Sequence, residues 1–167
     1  MLSISIFAVG KLKESFWKDA CAEYLKRLGA YAKVSVKELP DSNKEREAQL
    51  IPQSIPEHTP ILLLDIKGKE VSSEQLATKI DTYALNGESQ LAFIIGGSDG
   101  VTAEVKQRAT KRISFGPITL PHNLARVVLL EQIYRAFKIS RGEPYQAYRT
   151  KIVSGLVNRK RIFRLVM

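Results

Sequence analysis

The sequence is short of the residues from which metal centres and cross-linked scaffolds are built. A single cysteine, Cys21, excludes an internal disulfide and any multi-thiolate metal site. Two histidines, His58 and His122, are too few and too far apart to suggest a zinc centre. No apolar run approaches the roughly 18–20 residues that a bilayer demands. The N-terminus alternates Leu2, Ile4 and Ile6 with Ser3 and Ser5, and no Lys or Arg precedes them, so it reads as a strand rather than a secretory leader. The cytoplasm is the expected location. Two common nucleotide motifs are also missing. Gly96, Gly97 and Gly100 do not follow G-x-G-x-x-G, and Gly10-Lys11 lacks the upstream glycine of a Walker A loop.

What is present is the composition of one soluble globular domain, with 167 residues, 44% of them hydrophobic and 26% charged. The net charge of +9 is unevenly spread. Beyond Gln146 the chain carries Arg149, Lys151, Arg159, Lys160, Arg161 and Arg164 and no acid, which leaves +3 for residues 1–146. A basic chain favours phosphate-rich partners, but the body alone is only mildly basic. The organisation that follows is one domain over 1–146 and a basic extension over 147–167.

Periodicity gives a regular alternation of strands and helices. Leu2 to Val9 reads as a strand closed by Gly10. Phe16, Trp17, Ala20, Cys21, Tyr24, Leu25 and Leu28 then share one helical stripe, with Gly29 where a left-handed C-cap is wanted. Val34 and Val36 mark a second strand. Asp41 to Leu50 forms a short helix, and Pro52, Pro56 and Pro60 bracket the loop after it. Ile61 to Leu64 and Leu91 to Ile95 are unbroken apolar runs, as buried parallel strands are. Between them Ser72 and Gln75 have capping-box spacing and open a helix to about Leu85. Thr102 caps a helix to about Ala109, and Arg112 to Phe115 is a fifth strand. Leu124 to Ile139 is a long helix with Val127, Leu130, Tyr134 and Phe137 on one face and Glu131, Arg135 and Lys138 on another. The pattern is α/β, a mostly parallel sheet flanked by helices.

Ligands of such sheets sit beyond the carboxyl ends of the strands. Leu64 to Gly68, Gly96 to Gly100 and Phe115 to His122 all fall there. The glycines at 96, 97 and 100 suit either a tight turn with positive φ or close backbone approach to a ligand. The rigid stretch Phe115 to Leu120 can hold an adenine by main-chain bonds and apolar contact, or simply connect a strand to a helix. Arg141 and Tyr145 suit RNA, one through phosphate and the other by stacking. They suit an ordinary helix end equally well, and spacing alone leaves the chemistry undecided.

Several of these segments together resemble the RlmH family, small SPOUT-class methyltransferases of large-subunit ribosomal RNA. The resemblance rests on Ala8-Val9-Gly10-Lys11-Leu12-Lys13, Ile95-Gly96-Gly97-Ser98-Asp99-Gly100, Thr119-Leu120-Pro121-His122, Arg126-Val127-Val128-Leu129, Glu131 to Ala136, and Arg141-Gly142-Glu143-Pro144-Tyr145. It covers residues 1 to about 145. It implies a C-terminal trefoil knot, an exception to the rule against threaded chains, and a homodimer whose active site uses both subunits. It implies S-adenosylmethionine as cofactor, held by Leu64, Gly96, Gly97 and the loop Phe115, Gly116, Pro117, Ile118, Thr119 and Leu120. The implied product is a pseudouridine methylated at N3 within the ribosome, with no metal and no membrane involved. Arg141, Tyr145 and His122 are the catalytic candidates, and Arg126, Arg141 and Tyr145 the RNA-binding ones.

One departure stands out. Members of that family end shortly after Pro-Tyr with a histidine and one or two basic residues, whereas here Tyr145 is followed by Gln146 and then by residues 147–167. The extension reads as an RNA-binding helix, an altered C-terminus or a basic tail. A mobile or weakly helical tail is the expectation. The leading function is the methyltransferase, and the alternative is a catalytically impaired RNA-binding module that keeps the fold.

Overall fold

The computed structural model describes residues 1–97 and 100–145. Ser98, Asp99, Gln146 and the extension 147–167 lie outside the described residues. In chain order the elements are β1 (Ser3–Val9), α1 (Ser15–Leu28), β2 (Lys33–Leu39), α2 (Lys44–Gln53), β3 (Ile61–Glu70), α3 (Ser73–Leu85), β4 (Gln90–Ile95), α4 (Ala103–Arg108), β5 (Lys111–Ser114) and α5 (His122–Ser140). The five strands form one sheet in the order β2-β1-β4-β3-β5, and every neighbouring pair is parallel.

The unalternating apolar runs are explained by helices on both faces of this sheet. Ile4, Ile6, Ala8, Leu62, Leu91, Phe93, Ile95 and Ile113 pack on one face against Cys21 and Leu28 of α1, Leu76, Ala77 and Ile80 of α3, and Leu129, Leu130, Ile133 and Ala136 of α5. Phe7, Val9, Ile61, Leu63, Ala92 and Ile94 pack on the other against Ala48 and Ile51 of α2 and Val105 of α4. Helix α3 begins with the capping box: the Gln75 N–H donates to Ser72 Oγ at 3.1 Å, and the Ser72 N–H donates to Gln75 Oε1 at 2.9 Å.

Four details differ from the sequence reading. Pro52 lies inside the last turn of α2 rather than in the loop beyond it. Gly29 is right-handed at φ −56°, because consecutive bonds to Leu25 and Lys26 carbonyls keep the chain coiled past the helix end. The buried face of α5 is Leu129, Leu130, Ile133 and Ala136, while Val127, Tyr134 and Phe137 pack at its margin. Strand β3 does not stop at Leu64 but runs to Glu70. Ile113 of β5 pairs with Leu64 before an irregularity and with Lys69 after it, so residues 65–68 bulge from the ladder.

Gly68 makes the re-entry of β3 possible. A Cβ there would lie 2.8 Å from the backbone of Arg112 and of Ile113. Gly68→Ala is therefore expected to destabilise the fold by about 1–3 kcal/mol, the usual cost of forcing a methyl group into filled space. Denaturant unfolding reads this directly, and an unchanged midpoint would mean that β3 and β5 part without cost.

Candidate active site

The ends of β4 and β5, with the bulge of β3 between them, decide where a ligand can enter. Leu64 pairs with Ile95 of β4 and with Ile113 of β5, so the chain leaves β3, β4 and β5 at one edge of the sheet. A cavity of about 680 Å³ opens there, within the range of small-molecule sites. Its floor is Leu64, Ile95 and Ile113, and its walls are Asp65 and Ile66 from the bulge, Gly96, Gly97, Gly100 and Val101 after β4, and the segment 114–116 with 118–121 after β5. Lys106 of α4, and His122 and Ala125 of α5, complete it.

Of the nine residues expected to hold a cofactor, eight line this cavity: Leu64, Gly96, Gly97, Phe115, Gly116, Ile118, Thr119 and Leu120. Pro117 lies outside the lining. Gly100 has the positive φ that the turn reading wants, at +75°, and its N–H closes the turn onto the Gly97 carbonyl at 3.0 Å. Gly96 is constrained by space instead, since a Cβ there would sit 2.8 Å from Val101 Cγ1. The loop after β5 is pinned at its start. The buried Ser114 hydroxyl donates to the Gly116 carbonyl and accepts the Gly116 N–H, at 3.0 and 3.1 Å, with Gly116 at φ +111°.

His122 opens α5 beside the β1–α1 loop, where a Cβ on Gly10 would be 3.8 Å from its Nε2. Arg126, one turn on, is not at the surface. It is 1% exposed. Nη2 donates to the Gly10 carbonyl at 2.9 Å and Nη1 to Glu38 Oε1 at 3.2 Å. Its expected part as an RNA contact is thus corrected, since the guanidinium ties the ends of β1 and β2 to α5 and presents no free donor to solvent.

Arg141 lies at the opposite end of α5, about 28 Å along its axis from His122, and Tyr145 folds back from there onto Glu131 and Tyr134 in the middle of the helix. Arg141 is exposed and stacks over the Tyr31 ring at 4.6 Å. The Tyr31 hydroxyl and Lys138 Nζ both donate to Glu143 Oε2 at 2.6 Å. Those bonds, that from Lys138 foremost, hold the Glu143 carboxyl below the usual carboxylate range. Tyr145 donates to Glu131 Oε1, lies under Arg135 at 4.0 Å and meets Tyr134 edge-on at 5.6 Å. Burial, and then the bond to Glu131, push its phenol well above the ordinary tyrosine value. Tyr145 is accordingly a neutral donor throughout the physiological range. Within one chain the catalytic candidates do not meet: His122 is at the cavity, and Arg141 and Tyr145 are remote from it.

Comparison with known proteins agrees with this geometry. A family model described as "Predicted SPOUT methyltransferase" matches residues 2–146. The chain belongs to the SPOUT methyltransferase family. Relatives named "Ribosomal RNA large subunit methyltransferase H" include one from Bacillus cytotoxicus, 50% identical over 157 residues, and one from Bacillus thuringiensis, 49% identical over 157 residues. Each match covers 86% of this chain and 99% of the relative. Among solved structures, a probable methylase family protein from Haemophilus influenzae shares the fold, with a TM-score of 0.56 at 13% identity, over 90% of this chain and 69% of that one. In this SPOUT chain, sequence reasoning overlooked Lys106, Val101 and Ala125 as cavity residues. Their signal was positional only, since Val101 lies between β4 and α4, Lys106 lies in α4 and Ala125 lies near the start of α5.

Two outcomes follow from the site's electrostatics. Arg126→Met leaves the Gly10 carbonyl without its donor and Glu38 without its cation, and should cost about 1–3 kcal/mol of stability. A stability unchanged alongside weakened RNA binding would return Arg126 to the surface role. For Tyr145, a folded pKa above the unfolded value of about 10 means that its bond to Glu131 contributes below that pH and is lost as pH rises through the folded pKa. In a near-ultraviolet titration, the tyrosinate step that disappears in Tyr145→Phe should lie above the ordinary range. A step at the ordinary value would show that Glu131 does not hold the phenol.

Proposed function

We propose that this chain transfers a methyl group from S-adenosylmethionine to N3 of a pseudouridine in large-subunit ribosomal RNA. The observation that carries the reading is identity of about one residue in two with proteins named for ribosomal RNA large subunit methylation, over 99% of their length. The cavity suits the cofactor. Leu64, Ile95, Phe115, Ile118 and Leu120 offer apolar contact to an adenosyl ring, Gly96 leaves its backbone bare, and Asp65 and Lys106 supply one charge of each sign. S-adenosylmethionine, when bound, supplies a methyl carbon already activated on a sulfonium. What remains for the protein is alignment and stabilisation of the acceptor nitrogen once it has lost its proton.

Arg141 is the residue we assign to that second task. Its guanidinium is always charged, exposed and held on the Tyr31 ring rather than by a carboxylate. Tyr145, its proton committed to Glu131, contacts the base or its backbone through its ring and hydroxyl oxygen, and His122 bounds the cavity on the acceptor side. Because α5 separates Arg141 from His122 by about 28 Å, the complete site draws Arg141 and Tyr145 from a second copy. The reading is thus of a cytoplasmic homodimer with a knotted cofactor loop. Among the described residues no helix is long and apolar enough to cross a membrane, and no group of three or more His, Cys, Asp or Glu is placed to hold a metal.

The test is mass spectrometry of ribosomal RNA fragments after incubating purified protein, labelled methyl donor and ribosomes that lack the modification. One methyl group on one pseudouridine is expected, and no transfer would defeat the proposal. Arg141→Ala should lower turnover by a factor of 100 or so, on the order of one lost electrostatic contact in a transition state, and leave cofactor affinity unchanged. Mixing that variant with a cavity-blocked Gly96→Val variant should restore part of the activity if the site spans two copies.

A further inference from the structure

The cavity has apolar walls and bare backbone, yet two of its lining side chains carry opposite fixed charges, Asp65 and Lys106. Both lie on the side of the sheet that α2 and α4 cover. Ile61 and Leu63 of β3 face α2 and α4, and Asp65 is the next residue in that series, while Lys106 follows Val105, which α4 buries against that same face. The bulge of residues 65–68 keeps Asp65 at the cavity instead of within a continuous ladder.

The Asp65 carboxylate is held ready and is not used up. Its side chain is 11% exposed. Oδ1 accepts the Lys67 N–H at 3.0 Å, and Oδ2 lies 3.4 Å from Arg112 Nη1. A carboxylate offers about four acceptor positions, so at least two remain for a ligand. Lys106, half-buried, has no carboxylate within ion-pair distance among the described residues. An immobile acceptor of this kind suits a vicinal diol, as acidic residues at strand ends bind ribose hydroxyls in other open parallel sheets. An unpaired ammonium at a cavity wall suits a carboxylate.

We infer that Asp65 binds the ribose hydroxyls of the cofactor and that Lys106 binds the carboxylate of its amino-acid tail. The assignment rests on the reading that the cavity takes S-adenosylmethionine, and it fixes the direction in which an S-adenosyl ligand lies. The adenosyl group runs along the β3 bulge, and the tail runs toward α4.

Titration calorimetry with S-adenosylhomocysteine and methylthioadenosine tests this without turnover. Both ligands carry the ribose diol, but only the first carries the amino-acid tail. Asp65→Asn should weaken both by about tenfold, as expected for a charged hydrogen bond made neutral. Lys106→Gln should weaken S-adenosylhomocysteine by a similar factor and leave methylthioadenosine unchanged. A second arm needs no variant to fold: the 2′-deoxy form of methylthioadenosine should bind the unaltered protein about tenfold less tightly, and Asp65→Asn should add little to that loss. If Asp65→Asn weakens only S-adenosylhomocysteine, Asp65 serves the tail and the assignment is overturned. It is also overturned if the unaltered protein binds both ligands and neither variant changes either. If the unaltered protein binds neither ligand, the cofactor reading itself fails along with it.

Discussion

Three neighbouring parallel strands that leave their ladder side by side, β3 through a bulge and β4 and β5 at their ends, are the constraint on which the site depends. Because Leu64 pairs with both Ile95 and Ile113, the chain must leave β3, β4 and β5 at one edge and turn away there three times. Each exit is shaped by a different physical device. After β3 it is a bulge that brings out Asp65 and closes on Gly68; after β4, a turn with bare backbone at Gly96; after β5, a hydroxyl latch between Ser114 and Gly116. None of these devices is chemically reactive. They create a hollow with directional backbone groups around it, which is what a reaction governed by alignment needs.

Helix α5 connects that hollow to the rest of the machinery and also separates its parts. Its first residue, His122, is at the cavity, and its last turn anchors the segment with Arg141 and Tyr145. Two clasps hold that segment, Glu143 with Tyr31 and Lys138, and Glu131 with Tyr145 and Arg135. Such fastening costs conformational entropy. In the proposed dimer it fixes the geometry in which Arg141 and Tyr145 are presented to the cavity of the other copy.

Much of this was legible in one dimension. Buried central strands, the capping box at Ser72 and the glycine turn after β4 are local patterns, and the structure places them where periodicity and spacing put them. Residues with distant partners were not legible. Arg126 sits near the start of an amphipathic stretch and reads as exposed, because an arginine is seldom buried without partners. Its partners, Glu38 and Gly10, are 88 and 116 positions away. The length of β3 was missed for a related reason: charged residues from 65 to 70 look like a loop until β5 gives them a ladder to rejoin. Lys106 was overlooked because a lysine on a short helix has no one-dimensional mark of the cavity beside it.

The buried guanidinium also accounts for a feature that the ligand site alone leaves unexplained. Removing an arginine from water is expensive unless charge and hydrogen bonds compensate, and here the compensation comes from a carboxylate on β2 and a main-chain carbonyl at the end of β1. Both lie on the far side of β4 from β3 and β5. Arg126 therefore couples the half of the sheet that carries no cavity to the first turn of the helix that borders it. The β1–α1 loop, with Gly10 against His122, is held beside the cavity by this bond together with the burial of Leu12 in the core. A lysine could supply the charge but not two divergent donors on one rigid plane, so the geometry of this loop depends on the guanidinium itself.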